Sequence, residues 1–303
     1  NTLAIAISSI IALPTFAADI DIYGRADLSV QKSDEGAGSF TEVKSNASRI
    51  GFKGTHQLDD GLSVIYKAEF QVDLDGDSAK GDSITDRNQY VGLKGAFGEV
   101  LLGKNDTMLK QSQGKVDLFS DLNGDIKSLW KGENRMADTI SYKSPKFNDF
   151  RIGVTYIAED AIDAEDAVSV AVFYGDKKLK KSTVYASIAM DSEVKGYDTT
   201  RATIQGKVSG ITLGAIYHTQ EKVDGSAEMD GFLVSAKYKM DKVTVKGQYQ
   251  TADYDGGDSK SGVTVGADYS LAKSTKLYAF YTSFDMDSGA DEDYLAAGIQ
   301  YKF

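Results

Sequence analysis

Apolar and polar residues alternate along this chain in one segment after another. From Leu62 to Val72 the even positions are Leu62, Val64, Tyr66, Ala68, Phe70 and Val72, while the odd ones include Ser63, Lys67, Glu69 and Gln71. The same period of two sets Phe232, Val234, Ala236, Tyr238 and Met240 against Leu233, Ser235, Lys237 and Lys239. It returns in Val263, Val265, Ala267 and Tyr269, and again in Leu295, Ala297, Ile299, Tyr301 and Phe303. A spacing of two puts such side chains on one face of a β-strand.

Applied to the whole chain, the pattern predicts sixteen strands. They lie near 19–31, 47–57, 61–72, 86–94, 98–105, 134–144, 149–157, 167–175, 181–190, 198–208, 211–220, 229–240, 242–252, 261–270, 275–285 and 292–303. Short connections such as Leu58-Asp59-Asp60 and Ser209-Gly210 alternate with long ones, the longest being the 28 residues of 106–133. Short and long connections in turn are the form of an antiparallel up-and-down transmembrane β-barrel, an all-β fold with its short turns on the periplasmic side. The alternation also brings Phe303 to the short-turn rim beside the first strand, so the sheet closes and leaves no free edge. A soluble barrel would turn its apolar face inward. Here the polar face carries Lys, Arg, Asp and Gln, which cannot fill a dry core unpaired. Lipid outside and water inside satisfy both faces, and sixteen strands enclose a lumen wide enough for a channel.

Composition narrows the chemistry. Asp and Glu number 45 against 34 Lys and Arg, a formal charge of −11, which argues against a nucleic-acid partner. The absence of cysteine excludes disulfide scaffolds, Cys-ligated zinc, iron–sulfur clusters and thiol nucleophiles. Two histidines, His56 and His218, leave little material for a His-rich metal site, and no metal or cofactor is expected. Residues 1–17 differ from the rest. They are uncharged and mostly apolar, Pro14 breaks the run, and Thr15 and Ala17 supply small residues at −3 and −1 of a cleavage site. An export signal is therefore expected at 1–17, with its basic leading segment missing, and a single barrel domain at 18–303.

Five segments, taken in order, resemble the general (non-specific) porins of Gram-negative outer membranes, the trimeric sixteen-stranded type. Asp21-Ile22-Tyr23-Gly24-Arg25 resembles the family's opening, and Ser48-Arg49-Ile50-Gly51-Phe52-Lys53-Gly54 its second strand. Tyr90-Val91-Gly92-Leu93-Lys94 with Phe97-Gly98-Glu99-Val100 and Gly103-Lys104 resembles the fourth and fifth strands. Arg135 to Tyr142 with Ser144-Pro145 resembles the sixth strand and its turn, and Gly298 to Phe303 the terminal signature. Lys104 stands where many relatives have Arg, and the loops are short for the family. The resemblance implies a channel for passive diffusion of small hydrophilic solutes and ions in a Gram-negative outer membrane. It further implies a homotrimer among outer-membrane lipid and lipopolysaccharide, and a Phe303 that is presented to the barrel-assembly machinery.

The resemblance also implies that the third loop, about 106–133, folds into the barrel as a constriction. Its segment Asp117-Leu118-Phe119-Ser120-Asp121-Leu122-Asn123-Gly124-Asp125 spaces carboxylates as the family does, making Asp117, Asp121 and Asp125 the acidic candidates. Alternation places Arg25, Arg49, Arg87 and Arg135 on the lumen-facing phase of strands one, two, four and six, at positions basic in the family, with Lys53 and Lys67 in the same phase. A basic wall facing acidic residues across a narrow aqueous gap sets up a transverse field that orients polar solutes and biases ions.

Two other classes compete. A barrel enzyme, a lipase or protease, needs His near Ser or Asp, and neither His56 nor His218 lies in a recognisable motif, so no catalytic residue is expected. A sugar-selective channel would show an aromatic ladder in the lumen, whereas many aromatics here take the lipid phase, where interfacial girdles need them. Asp73-Leu74-Asp75-Gly76-Asp77 faintly resembles a calcium loop but lacks the twelve-residue pattern. A solvated loop is expected there, with divalent bridging to lipopolysaccharide as the sharper alternative. For ions, the acidic mouth predicts a weak cation preference at low salt, set against four arginines and two or three aspartates at the constriction.

Overall fold

The computed structural model describes residues 19–76, 81–159, 165–287 and 289–303. The expected export signal, residues 1–17, lies outside them. The strands are β1 (Asp19–Asp34), β2 in two halves (Ser39–Ser45 and Arg49–Gln57), β3 (Ser63–Val72), β4 (Ile84–Gly95), β5 (Gly98–Asp106), β6 (Arg135–Lys143), β7 (Phe150–Ile157), β8 (Ala167–Gly175), β9 (Val184–Ser192), β10 (Tyr197–Val208), β11 (Ile211–Lys222), β12 (Glu228–Met240), β13 (Val243–Tyr254), β14 (Ser259–Ser270), β15 (Thr275–Asp285) and β16 (Glu292–Lys302). Each pairs antiparallel with its neighbours in sequence, and β1 pairs with β16 from Arg25 opposite Lys302 to Asp34 opposite Asp293. The sixteen-stranded barrel is closed.

Its burial is inverted relative to a water-soluble protein. Ile22 is 61% exposed and Ile188 64%, while Gln31, Ser33, Thr155 and Arg201 are buried. Hydrocarbon solvates the outward row, so exposed apolar area carries no penalty, and a backbone paired around the whole circumference leaves no polar group facing lipid. Among the described residues no helix is long and apolar enough to cross a membrane. The tightest turns follow from local chemistry. In the β10–β11 turn, Ser209 and Gly210 both have positive φ, 49° and 83°, as a two-residue hairpin in the primed geometry requires.

Three strands carry one residue too many. β1 advances three residues from Arg25 to Leu28 while β2 advances four from Ser45 to Arg49. Between Ala68 and Phe70 of β3, β4 spends three steps, from Gln89 back to Asp86. Between Gly103 and Asn105 of β5, β6 spends three, from Thr139 back to Met136. Such bulges bend a strand and re-aim its side chains. Each lies beside one of the candidate arginines: Arg49, Arg87 or Arg135. The β2 bulge also reverses the alternation. Glu42 and Lys44 share the lumen face with Gln31 and Ser29, whereas after the break the odd residues Arg49 and Gly51 face inward with Arg25 and Tyr23. Strand two was therefore expected only from residue 47, because the Ser39–Ser45 half is out of phase with it.

Phe303 completes the seam. Its N–H donates to Gly24 O (3.2 Å) and its carbonyl accepts from Gly24 N (3.0 Å), while its ring stacks on Tyr301 at 6.0 Å. The ring occupies the space over Gly24, where a Cβ would lie 2.3 Å from it. Deleting Phe303 removes both hydrogen bonds and the ring contact, a loss of about 1–3 kcal/mol. The deletion is expected to lower the urea midpoint and the folded yield, with single-channel conductance of the folded fraction unchanged. Full yield and an unshifted midpoint would refute the seam's importance.

Candidate functional site

The 28 residues after β5 run along the inner wall instead of outward. Thr107 caps a single helical turn, α1 (Met108–Ser112), by accepting from Lys110 N (3.2 Å). The loop then docks through its backbone: Ser112 O accepts from Tyr185 OH (2.9 Å), Val116 O from Ser235 Oγ (2.7 Å) and Gly124 O from Gln248 Nε2 (2.9 Å). Trp130 Nε1 donates to Thr251 O (2.6 Å). Val116, Ile126, Leu129 and Trp130 pack with Ile216, Met229, Leu233 and Phe284 of the wall. These wall residues are apolar on the lumen face only where the loop covers them. Arg201 anchors the returning end through Glu133 (2.6 Å). His218 is buried there, stacked on Trp130 with ring centroids 4.7 Å apart, so the lumen-phase histidine holds the loop.

The three loop aspartates have separate places. Asp117 is buried, and its carboxylate accepts from Phe119 N (2.9 Å) and Ile126 N (3.3 Å). It staples the loop from behind, whereas Asp121 and Asp125 border the lumen cavity. Asp125 accepts from Lys127 N (2.9 Å) and Asp121 N (2.8 Å), capping a short 3-10 turn and fixing the tip. Asp121 is the tip. Its φ of 70° is left-handed, a conformation Asp and Asn tolerate better than most residues. One of its oxygens reaches both Arg25 (2.8 Å) and Arg49 (2.7 Å). The expected gap between acidic loop and basic wall is thus closed at this point by direct ion pairs.

The wall is organised by the bulges. Arg25 and Arg49 stand directly opposite one another on β1 and β2, a like-charge pair that is unfavourable alone. The β2 break turns two carbonyls to them: Arg25 Nη2 donates to Asn46 O (2.6 Å) and Ala47 O (3.0 Å), and Arg49 Nε to Ala47 O (3.0 Å). Arg87 pairs with Glu69 (2.8 Å), which also accepts from Tyr23 OH (2.8 Å). Arg135 pairs with Asp106 (2.9 Å) and donates to Asn88. Lys67 lies against Glu69 (3.1 Å), and Lys53 is exposed near Asp21 (3.7 Å) towards the short-turn mouth. Neither lysine borders the main cavity, because both sit below the level of the bulges. Burial raises Asp121's carboxyl, but Arg49, then Arg25 and Arg87, outweigh it and hold the group below the usual carboxylate range.

Between loop and wall lies a cavity of about 520 Å³. Its cationic lining is Arg25, Arg49, Arg87, Lys110, Lys115, Lys127, Arg135 and Lys177, and its carboxylates are Asp106, Asp121, Asp125 and Glu133. Eight positive groups against four negative leave an excess of four. Sequence reasoning missed Glu69, Asp106, Lys110, Lys115, Lys127, Glu133 and Lys177 as parts of this site or its supports. Glu69 had a usable signal, since it shares its strand's lumen phase, whereas Asp106 falls in the phase of the outward Leu102 and had none. The loop and turn lysines had none, because their placement depends on tertiary docking. Of the calcium-like segment, Asp77 lies outside the described residues, and Asp75 accepts from Ser45 N (2.7 Å), tying that loop to β2.

Comparison with known proteins bears on the family and the fold. A family model described as Gram-negative porin matches residues 2–289. The major outer membrane protein P.IB of Neisseria sicca aligns at 31% identity over 51% of this chain and 46% of its own length. The protein of the same name from Neisseria meningitidis serogroup B aligns at 26% over 96% and 97%. The fold superposes on the anion-selective porin from Comamonas acidovorans with a TM-score of 0.80 at 21% identity, covering 94% of this chain and 100% of that one.

Two outcomes follow from the geometry. Asp117→Ala leaves two buried N–H groups unsatisfied, about 1–3 kcal/mol each. Trypsin is expected to cut the variant within 107–134 in detergent while the wild-type loop resists, and equal resistance would refute the staple. For Asp121, whose pKa is depressed when folded, the ion pairs persist at and above the ordinary carboxylate range and are lost as pH falls below it. The difference in conductance between wild type and Asp121→Asn is expected to stay constant from neutral pH down to that range and to shrink only under stronger acid.

Proposed function

The chain belongs to the Gram-negative porins and forms an outer-membrane channel, not an enzyme, and on that premise we propose that its constriction prefers anions. The carrying observation is the lining itself, eight cationic groups against four carboxylates. Asp121 is committed to two arginines, so it contributes little free negative field to a passing ion. Acidic groups of the loops that lie farther from the waist than a Debye length, about 8 Å at physiological salt, are screened from it. This reading departs from the weak cation preference at low salt expected from the acidic mouth. The Comamonas acidovorans channel of the same fold is anion-selective; the reading for this chain rests on its own charges.

In this reading Arg25, Arg49, Arg87 and Arg135 form the basic wall, Asp121 and Asp125 shape the opposing tip, and Asp117 is structural. Lys53 and Lys67 extend the positive field towards the periplasmic mouth. Small hydrophilic solutes pass by diffusion down their gradients. Three subunits associate through the apolar outer faces of the first strands, where Ile20, Ile22, Ile50 and Phe52 are exposed. The remaining circumference faces lipid and lipopolysaccharide, and the terminal Phe303 is presented to the barrel-assembly machinery before the seam closes.

The reversal potential in a potassium chloride gradient tests the selectivity. Wild type is expected to favour chloride. Asp121→Asn keeps the left-handed tip but frees two arginines, and it should strengthen that preference. Arg49→Ala with Arg87→Ala should move the potential towards potassium and raise conductance. A wild-type channel selective for potassium would defeat the assignment, as would variants that leave the potential where it was.

A further inference from the structure

Below the constriction, at the short-turn end, lies a second recess of about 180 Å³. It is bordered by Gln111 of the loop, Lys143 at the end of β6, Arg151 at the start of β7, Phe173 on β8, Lys177 in the β8–β9 turn and Tyr185 on β9. Gln111 and Lys177 also border the main cavity, so the two spaces adjoin. The charges of the recess are unevenly matched. Asp149 is shared with Lys146 at 3.9 Å. Asp176 is committed to its own turn, accepting from the backbone N–H of Lys178, Lys180 and Lys181 at 3.0, 3.0 and 3.2 Å. Lys143 lies 3.9 Å from Glu99 and donates to Gln111. Arg151 is left over: its Nε is buried with no hydrogen-bond partner, and it forms no ion pair among the described residues. Lys177 likewise has no ion-pair partner among them.

A buried guanidinium nitrogen without an acceptor carries a desolvation penalty that an incoming oxyanion would relieve. The planar guanidinium fork matches a carboxylate with two parallel hydrogen bonds. Phe173 and Tyr185 add aromatic wall, which plain ion conduction does not need. At about 30 Å³ per water the recess holds roughly six waters, room for one ring with a charged substituent. We propose that this recess is a second anion site, which takes small aromatic carboxylates by holding the carboxylate on Arg151 and Lys177 and the ring against Phe173 and Tyr185. The inference rests on the reading of the lumen as an anion path, and it adds a preferred class of solute. Carboxylates that clear the waist are retained at the inner mouth, so transit saturates.

The test uses the folded full-length channel in planar bilayers, with benzoate added to dilute potassium chloride and mean single-channel chloride conductance as readout. Conductance should fall saturably with benzoate, and acetate, which lacks the ring, should need a much higher concentration for the same effect. Arg151→Gln should raise the benzoate needed for half-effect about tenfold, and Arg151→Lys should restore part of it. Heat-modifiable migration on gels checks that each variant is folded. Equal potency of benzoate and acetate would overturn the site. So would an effect abolished by Arg49→Ala yet untouched by Arg151→Gln, because benzoate would then be held at the constriction. The reversal potential recorded in the same channels before benzoate is added decides the constriction reading separately: chloride preference without a benzoate effect sinks the recess alone.

Discussion

Hydrocarbon offers no hydrogen bond, and this one constraint governs the rest of the molecule. Every backbone N–H and C=O at membrane depth must find a partner within the protein. The ladder from β1 round to β16 and back to β1 meets that demand, and the Gly24–Phe303 pair is its last link. Once the circumference is closed, each residue belongs to one face or the other, and extra residues are tolerated only where something polar can reach their backbone. The first and third bulges obey this rule. Asn46 O and Ala47 O at the first accept from Arg25, and Gly103 O beside the third accepts from Thr139 Oγ1 at 2.5 Å.

The charged waist is in turn a product of those irregularities. A regular strand would stack Arg25 and Arg49 side by side with nothing between them but repulsion. The inserted residue supplies carbonyls to both, and the loop tip supplies the carboxylate that bridges them. The loop holds its position through apolar packing and backbone hydrogen bonds to the far wall, so the energy that places Asp121 comes mostly from residues remote from it, such as Trp130, Leu233 and Gln248. In this protein, precision at the site is an expense met by packing elsewhere.

The barrel was legible in the sequence because period-two alternation is a local signal and repeats sixteen times. Strand count, closure and the long loop after β5 all followed from it. What stayed hidden depended on tertiary context. The Ser39–Ser45 half of β2 was missed because one inserted residue reversed its phase. Leu233 stands in an otherwise polar row, and only the docked loop that covers it accounts for an apolar residue there. Asp117 and Asp121 sit four residues apart in the same acidic run, yet one turns back to the loop's own amides and the other reaches across the pore. Spacing alone does not distinguish them. Lys177 lies in a turn of several lysines, and only the fold shows it bordering both cavities.

The break in β2 has a mechanical meaning as well. Residues above it, the hairpin of Ser39–Ser45 with the end of β1, are addressed to the cell's surroundings; residues below it carry Arg49. The break works as a coupling. Its carbonyls at Asn46 and Ala47 hold Arg25 and Arg49, so a change in the outer hairpin that shifts either residue is carried directly to the two arginines below. The length of this one outer hairpin is thereby tied to the setting of the filter beneath it.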